Sequence, residues 1–388
     1  MAPPGFGPPG YSVPHRSMHR EPPPEGSDTN TRPYAIFFSY LLTCFSVAVF
    51  IILRLAKRAS VLRKSTTAQL PPRRHVWLFS ALAAGSLLTT WTHMFQYFKV
   101  SYQSWLMWRS YYELEPDQNH WGLWLKETSL FREAWETVII GYARYWWSHQ
   151  IFFFALGLGL YLEQKGIRRG IRYTWAFMLL GQIVAISFAT NLFMLTLLLS
   201  LPAPAASSHG SRRQTWLGPW LLNLFAIFAT AYPAMQLADE HYWHHPTHFM
   251  PVLMAPHIAL MLLPIARAVV PASSFTEDIQ FTDKVYSYMW ALVLGNAGLM
   301  LAWTTATAYA YGGFVGIQSA LLEHPAVSSV GFDVIFCWIT WAFWYWTQPK
   351  PAYEGVSRDS AERRSTHADD EPATALGASG YDGGARHR

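Results

Sequence analysis

Long stretches free of Lys, Arg, Asp and Glu alternate with short charged segments through most of this chain. A helix needs about 20 mainly apolar residues to cross a bilayer, and many of these stretches approach that length. The pattern predicts an all-α fold, a polytopic integral membrane helix bundle of about eight transmembrane helices. We expect the spans at 34–54, 76–97, 145–163, 173–202, 215–237, 249–270, 285–309 and 328–347.

Polar tails flank the predicted bundle, which occupies residues 34–347. The first 33 residues contain nine prolines and no apolar block, and residues 348–388 are rich in Ser, Asp, Glu, Arg and Gly. Segments of this composition cannot bury enough apolar surface to fold. We therefore expect disordered tails at 1–33 and 348–388, with no cleavable signal peptide and with the first span as a signal anchor.

The basic residues crowd beside the predicted spans, so the formal net charge of +5 does not indicate nucleic-acid binding. One group runs from Arg54 to Arg74 and the other from Lys165 to Arg172. An excess of Lys and Arg marks cytoplasmic loops, so the N-terminus is predicted to face the lumen. An even number of spans returns the C-terminus to that side. We expect an integral protein of the endoplasmic reticulum or another endomembrane.

A charged stretch, WLKETSLFREAWETVI at 124–139, interrupts the apolar pattern between the second and third spans. On a helical wheel its apolar side chains share one broad face, which predicts an amphipathic helix at the membrane interface. Four of its charges lie on the opposite face, but Glu127 falls within the apolar arc. That carboxyl either complements the positive start of a helix or faces an apolar cavity, where burial favours the protonated acid.

Two further carboxylates are candidate partners of Glu127. Asp333 is an ionisable residue inside a predicted span, and such residues are functional candidates by default. The alternative for Asp333 is a position near the membrane boundary, paired with a helix end. Glu133 lies in the amphipathic stretch itself. Aromatic residues make up 16% of the chain, and their faces stabilise cations, so acid-initiated carbocation chemistry is predicted.

Histidines cluster in DEHYWHHPTHFM at 239–250, where the candidate metal ligands are His241, His244, His245 and His248. The HYWHH segment fits the HxxHH box of membrane di-iron enzymes, and imidazoles at this spacing suit iron or zinc. Those enzymes need several such boxes, whereas this sequence has one, so a solvated loop is the main alternative. Asp239 and Glu240 are candidates for proton transfer with these histidines.

Two stretches carry a family resemblance: LFREAWETVIIGYARYWWSHQIFFF and WAFMLLGQIVAISFATNLFMLTLLL, within about 120–200. They resemble fungal multi-pass membrane proteins of terpenoid and indole-diterpene secondary-metabolite pathways. The resemblance implies a place in terpenoid biosynthesis. The integral-membrane terpene cyclases of such pathways use carboxylates near span ends as the acid, but their motif is not matched here, so no residue is carried over.

Together these features predict a membrane-embedded terpene cyclase or isomerase that acts on a prenylated intermediate by acid-initiated carbocation chemistry. One alternative is a non-catalytic transporter or pathway scaffold, and another is a metal-dependent membrane oxidase that uses the histidine cluster. The cyclase requires no cofactor. Its expected partners are a lipophilic small-molecule substrate, membrane lipid and other membrane-bound pathway enzymes, with no nucleic acid.

Overall fold

The computed structural model describes residues 31–65, 70–109, 119–166, 169–200, 220–270 and 279–348. Of the residues described, 89% are helical and none lies in a β-strand, which confirms the all-α prediction. The predicted tails at 1–33 and 348–388 fall almost wholly outside the described residues. The chain divides into two compact units, Met1–Trp346 and Thr347–Arg388.

The helices of the described residues are numbered in chain order. Their bounds are α1 Thr31–Lys64, α2 Arg73–Arg109, α3 Trp121–Glu127, α4 Leu130–Ile139, α5 Tyr142–Tyr161, α6 Thr174–Ile183, α7 Ile186–Leu198, α8 Trp220–Leu237, α9 Glu240–Trp243, α10 Phe249–Val269, α11 Ile279–Glu323 and α12 Pro325–Thr347. A π-helical turn, Leu162–Gly166, continues α5.

Four helices in the described part of the chain are long and apolar enough to cross a membrane, judged by length and composition. They are Thr31–Lys64, Phe249–Arg267, Gln280–Glu323 and Pro325–Thr347. Large apolar side chains stay exposed on them, and on α1 Ile36, Leu42 and Phe45 are each more than 60% exposed. An extended apolar surface of this kind marks a contact with membrane or protein, so the bundle is compatible with membrane insertion.

The long helices connect two ends of the bundle that differ in charge. Helices α5 and α11 are antiparallel, because the rings of Tyr142 and Tyr311 stack at 4.3 Å near one end while Trp290 donates to Gln164 near the other. We call the Gln164 end the basic end and the Tyr142 end the acidic end. The basic end carries Arg58, Arg63, Lys64, Arg73, Arg74, Arg169 and Arg172, and the acidic end carries Glu127, Glu133, Glu136, Asp239, Glu240 and Glu323.

Helices α6 and α7 form a hairpin that enters the bundle from the basic end and returns to it. Phe177 contacts Phe193 at a ring distance of 5.3 Å, and Arg58 bonds to both open ends of the hairpin, at Tyr173 and Ser200. With 10 and 13 residues, the two helices are roughly 15 and 20 Å long, which is too short to cross about 30 Å of hydrocarbon. The predicted span 173–202 is therefore not a single crossing.

The tip of the hairpin has its free backbone groups satisfied by neighbouring helices. The carboxylate of Asp333 on α12 accepts hydrogen bonds from the N–H groups of Ile186 and Ser187, at 2.9 and 2.8 Å. On the other side of the turn, the Tyr40 hydroxyl donates to the carbonyl of Ile183 at 2.8 Å. Backbone that turns inside a bundle at this depth needs such partners, so these contacts hold the turn in place.

The charged stretch at 124–139 forms two helices where one was predicted. Helix α3 ends at Glu127, and α4 begins at Leu130. The Thr128 hydroxyl donates to the Trp124 carbonyl at 2.6 Å, and the Glu133 carboxylate accepts from the Ser129 N–H at 2.8 Å. Side-chain bonds of this kind favour helix ends, and the break invalidates a single helical wheel drawn through the stretch.

Helix α11 changes direction at Gly313, whose backbone (φ 62°, ψ −169°) is not helical. Such a conformation costs glycine little because it has no Cβ. Beyond the kink, the carboxylate of Glu323 pairs with the buried guanidinium of Arg144 through two hydrogen bonds, one of them 3.2 Å long. This bidentate pair fixes the end of α11 to the start of α5 at the acidic end.

Candidate functional site

Asp333, the predicted intramembrane acid, lies at the tip of the α6–α7 hairpin and is buried. Its two oxygens accept from different backbone N–H groups at the start of α7. A carboxylate here balances the partial positive charge of a helix N-terminus. The geometry therefore gives Asp333 a capping role, close to the helix-end pairing that the sequence left open.

Glu127, the predicted proton donor, is half-buried beside an aromatic group at the acidic end. Its Oε2 accepts a hydrogen bond of 3.0 Å from Trp105 Nε1. The ring of Tyr102 contacts the rings of Trp105 and Trp124, at centroid distances of 5.8 and 5.6 Å. An indole N–H can only donate, so it pairs with an oxygen that accepts. Because Glu127 is the last residue of α3, the positive start of a helix does not account for it.

Glu133 and Glu136 have local partners in and around α4. The Glu133 carboxylate accepts a hydrogen bond from the Ser129 N–H. Burial raises the pKa of Glu133, and the negative charge of Glu136 raises it further, whereas the hydrogen bond from Ser129 opposes this shift. Glu136 accepts from Arg132 Nε at 2.7 Å and is buried, whereas the wheel placed it on a solvated face. The difference arises because α4 packs that face against the protein.

Asp239 and Glu240 lie on the exposed connection between α8 and α10. Asp239 Oδ1 accepts from the His241 N–H at 2.9 Å, which caps the short helix α9. Glu240 Oε1 accepts from the Tyr142 hydroxyl at 2.7 Å. Both carboxylates thus contribute to the local structure of the acidic end.

The four histidines share this connection, but their rings do not converge on a metal position. His245 and His248 stack in parallel at 4.0 Å, and His245 Nδ1 accepts from the backbone N–H of His248 at 3.2 Å. In the described residues, no group of three or more His, Cys, Asp or Glu side chains is arranged to hold a metal ion. The arrangement observed here matches the solvated-loop alternative.

The predicted acids do not assemble into one site. Ser329, one turn before Asp333, bonds to the Thr90 carbonyl on α2, whereas Glu127 bonds to Trp105 on the same helix. These two α2 positions are separated by about 22 Å along a helix. The predicted pairing of Glu127 with Asp333 is therefore not seen. Glu133, the other predicted partner of Glu127, lies on α4, the helix that follows α3.

One carboxyl group that the sequence did not single out is buried and has no hydrogen bond. Glu163, in the π-helical turn after α5, is 2% exposed, and neither of its oxygens has a hydrogen-bond partner. Buried polar atoms are almost always bonded. A π-helical turn is itself frequent at functional sites, so Glu163 is the strongest candidate for contact with a bound molecule.

One cation lies near Glu163, and a group of aromatic rings surrounds Tyr161, two residues earlier in the chain. Arg267, near the end of α10, interacts electrostatically with Glu163 and with Tyr286, and its Nη1 is 3.5 Å from the Thr174 hydroxyl. Two residues before Glu163, the ring of Tyr161 lies near a set of aromatic side chains. These are Phe193, Trp290, Trp341 and Trp344, at ring distances of 5.2 to 6.5 Å.

A sequence signal for this site exists, but it is ambiguous. Glu163 directly follows the charge-free run 145–162, and Lys165 comes two residues later, so the segment reads as the polar end of a span. Arg267 reads in the same way, as a side chain that extends to the interface. Only the packing of α5 against α6, α10 and α11 shows that the carboxyl is buried.

No protein-family model matches this chain, and neither the curated proteins nor the solved structures contain a significant match to it.

Proposed function

We propose that this chain is an integral membrane protein that catalyses an acid-initiated isomerisation or cyclisation of a lipophilic, prenylated intermediate in secondary metabolism. The proton donor in this proposal is Glu163, which replaces Glu127 in that role. The observation that carries the proposal is the buried Glu163 carboxyl, because neither oxygen is bonded to protein. A carboxyl removed from water is favoured in its protonated form, and a protonated carboxyl can start carbocation chemistry.

The neighbouring groups suit the later stages of such a reaction. The aromatic rings around Tyr161 provide faces that stabilise a cation. The charge of Arg267 favours the Glu163 carboxylate that remains after proton donation, and that carboxylate is able to take up the final proton. The substrate gains one proton and loses one proton during the reaction, so the product is an isomer and no cofactor is required.

The proposal includes a membrane topology. Seven helices, α1, α2, α5, α8, α10, α11 and α12, cross the membrane, and the α6–α7 hairpin enters it without crossing. The basic end faces the cytoplasm because loops rich in Lys and Arg stay on that side, and an endomembrane such as the endoplasmic reticulum is the proposed location. Glu163 lies near the basic end, so the cytoplasm is the proposed source of its proton.

Gene deletion followed by complementation tests the catalytic proposal without knowledge of the substrate. The metabolite lost on deletion is the readout, and the variants Glu163→Gln and Glu127→Gln are compared at equal membrane levels. We expect Glu163→Gln to reduce the product by about 100-fold or more, the usual contribution of a general acid. Glu127→Gln should retain most of the product.

Unchanged product with Glu163→Gln contradicts the assignment of the acid. A deletion that changes no metabolite contradicts an enzymatic role altogether. Loss of product in both variants, with accumulation of the same precursor, returns Glu127 to the mechanism. Monodispersity of each detergent-solubilised variant controls for loss of folding.

Transport is the second candidate function, and the α6–α7 hairpin is the observation that favours it. Half-length helices whose termini lie inside the bundle are typical of transporter binding sites. In this protein, however, Asp333 and Tyr40 occupy the backbone groups at the tip. If transport is the function, the deletion strain forms the metabolite at normal levels but retains it inside the cell.

A further inference from the structure

The tip of the α6–α7 hairpin contains buried oxygen atoms that the capping bonds of Asp333 leave without a partner. Ser187 and Asn191, one helical turn apart on α7, are both 0% exposed. Among the residues that the structure describes, neither Ser187 Oγ nor Asn191 Oδ1 has a hydrogen-bond partner. Buried polar atoms are almost always bonded, so two unbonded oxygens on adjacent turns indicate contact with a group that is not part of the chain.

Contacts with α12 hold both side chains in place. The Asn191 Nδ2 group donates to the Ser187 carbonyl at 2.9 Å and to the Thr340 hydroxyl at 2.8 Å. The Ser187 hydroxyl lies close to the Asp333 carboxylate, which already accepts from the N–H groups of Ile186 and Ser187. Side chains four residues apart on a helix are about 5–6 Å from each other at Cβ. A small ion between them is therefore able to contact Ser187 Oγ, Asn191 Oδ1 and the Asp333 carboxylate.

The charge of Asp333 favours a monovalent cation as that ion. In the described part of the chain, no basic side chain forms an ion pair with Asp333. The start of α7 supplies roughly half an elementary charge, so part of the carboxylate charge stays unbalanced at a depth where charge is costly. A water molecule would also contact the free oxygens, but it leaves this charge unchanged. Ca²⁺ takes about six to eight oxygen ligands, which is more than this group provides.

Hydroxyl groups lie between this point and the acidic end. Ser328 and Ser329 are on the turn of α12 that precedes Asp333, and the Ser329 hydroxyl donates to the Thr90 carbonyl on α2 at 3.1 Å. Thr90 Oγ1 is a further buried oxygen without a partner among the described residues. An ion site needs an entry path, and in the proposed topology these hydroxyls line a path from the lumenal side.

We propose that the hairpin tip binds one sodium ion, with the Asp333 carboxylate, Ser187 Oγ and Asn191 Oδ1 as its protein ligands. Oxygen donors suit small, hard cations, and helix ends inside a membrane bundle are suitable positions for Na⁺. The Ser187 carbonyl only accepts hydrogen bonds, so the amide nitrogen of Asn191 faces it and the amide oxygen is left for the ion. The ion joins α7 to α12 and stabilises the hairpin.

The test uses the full-length protein, prepared without sodium in a neutral detergent. Thermal unfolding is followed by tryptophan fluorescence in NaCl, KCl or N-methyl-D-glucamine chloride at equal ionic strength, and binding of radioactive Na⁺ is measured by scintillation proximity. Ser187→Ala removes a proposed ligand that forms no hydrogen bond with the described residues. Thr230→Val is the matched control, because it removes an equally buried and unbonded hydroxyl from α8.

We expect Na⁺ at about ten times its dissociation constant to raise the melting temperature by about 2–5 °C relative to N-methyl-D-glucamine, with a smaller rise in KCl. Ser187→Ala should weaken Na⁺ binding at least about tenfold, since even residues that only orient metal ligands contribute that much. Without Na⁺, this variant should be at least as stable as the wild-type protein, because the hydroxyl it removes has no hydrogen bond. Thr230→Val should keep the wild-type response to Na⁺.

Equal melting temperatures in NaCl and N-methyl-D-glucamine chloride overturn the proposal and leave water as the group that contacts the free oxygens. Equal stabilisation by KCl and NaCl overturns the assignment of sodium. An unchanged response to Na⁺ in Ser187→Ala, or the same loss of response in Thr230→Val, excludes the hairpin tip as the site. None of these measurements involves Glu163 or its substrate, so the catalytic proposal and the ion proposal fail independently.

Discussion

At the residue scale, single carboxylates with similar local roles differ in how much they contribute to stability. Asp333 caps α7 inside the bundle, whereas Asp239 caps α9 at an exposed position. An exposed cap contributes about 1 kcal/mol. Removal of a buried charged partner also leaves two N–H groups without an acceptor, at roughly 1–3 kcal/mol for each group.

We therefore expect Asp333→Ala to lower the free energy of unfolding by about 2–5 kcal/mol and Asp239→Ala by about 1 kcal/mol or less. Asp333→Asn should lie between the two because its amide oxygen still accepts one bond. Thermal unfolding in detergent measures all three. Equal shifts for Asp333→Ala and Asp239→Ala would show that the contacts at the hairpin tip do not stabilise the fold.

His324 gives the molecule a pH dependence at its acidic end. It lies between α11 and α12, is buried, and accepts the Ala326 N–H at Nδ1, 3.2 Å away. Burial and the nearby guanidinium of Arg144 lower its pKa to about 4, while the Glu323 carboxylate opposes this shift. The folded state therefore holds a neutral ring at pH values where the unfolded chain already binds a proton.

The sign of the effect follows from this difference in proton binding. The contribution of His324 to stability is complete above the unfolded pKa of about 6.5 and is lost as the pH falls from there towards 4. As the pH falls from about 6.5 towards 4, we expect the melting temperature of the wild-type protein to decrease. The decrease should be smaller in His324→Asn, whose side chain stays neutral. Parallel melting curves for the two proteins would contradict the assignment.

At the element scale, the α6–α7 hairpin depends on close helix contact at Gly181. A side chain at this position would begin 2.9 Å from Ile186 Cδ1 and 3.5 Å from Ala189 Cβ. Small residues of this kind let two helices approach closely. At Gly295 on α11, by contrast, no atom lies within 4 Å of the position that a side chain would take.

We expect Gly181→Leu to destabilise the protein by about 1–3 kcal/mol or more, as overpacking does, and to reduce the monodisperse fraction after solubilisation. Gly295→Leu is the control, since the same change there meets open space and improves helix propensity. Size-exclusion chromatography of fluorescent fusions after a temperature series compares the two. Similar behaviour of both variants would indicate that α6 and α7 are not packed as a hairpin.

At the scale of the whole molecule, the hairpin decides which side of the membrane each connection faces. A single crossing through 173–202 places residues before and after it on opposite sides, whereas a hairpin returns both to the basic end. We expect glycosylation acceptor sites after Gly170 and between Ser200 and Trp220 to remain unmodified. A site in the connection from Asp239 to His248, at the acidic end, should be glycosylated.

Modification between Ser200 and Trp220, with no modification after Gly170, would establish a crossing and restore the eight-span prediction. Modification after Gly170 together with none at 239–248 would reverse the proposed orientation while leaving the hairpin intact. The three acceptor sites therefore test the hairpin and the orientation separately.

The helical class, the apolar helices and the uneven distribution of charge all follow from the amino-acid sequence alone. These properties depend on composition and short-range periodicity, which the chain carries at every position. The pairing of Arg132 with Glu136 was also predictable, because four residues separate neighbours on a helix. The partner of Glu127, Trp105, lies outside the local pattern, so its hydrogen bond could not be predicted.

Three features become visible only in the packed bundle. Residues 173–202 turn back on themselves, Asp333 caps the returning helix, and Glu163 is buried with no hydrogen bond to its carboxyl. Each of these features depends on residues distant in sequence: Phe177 with Phe193, Ile186 with Asp333, and Glu163 with Arg267. A hydropathy pattern records how apolar a segment is but not which partner it meets. The physical reason is that burial and hydrogen-bond satisfaction are properties of packed helices, not of isolated ones.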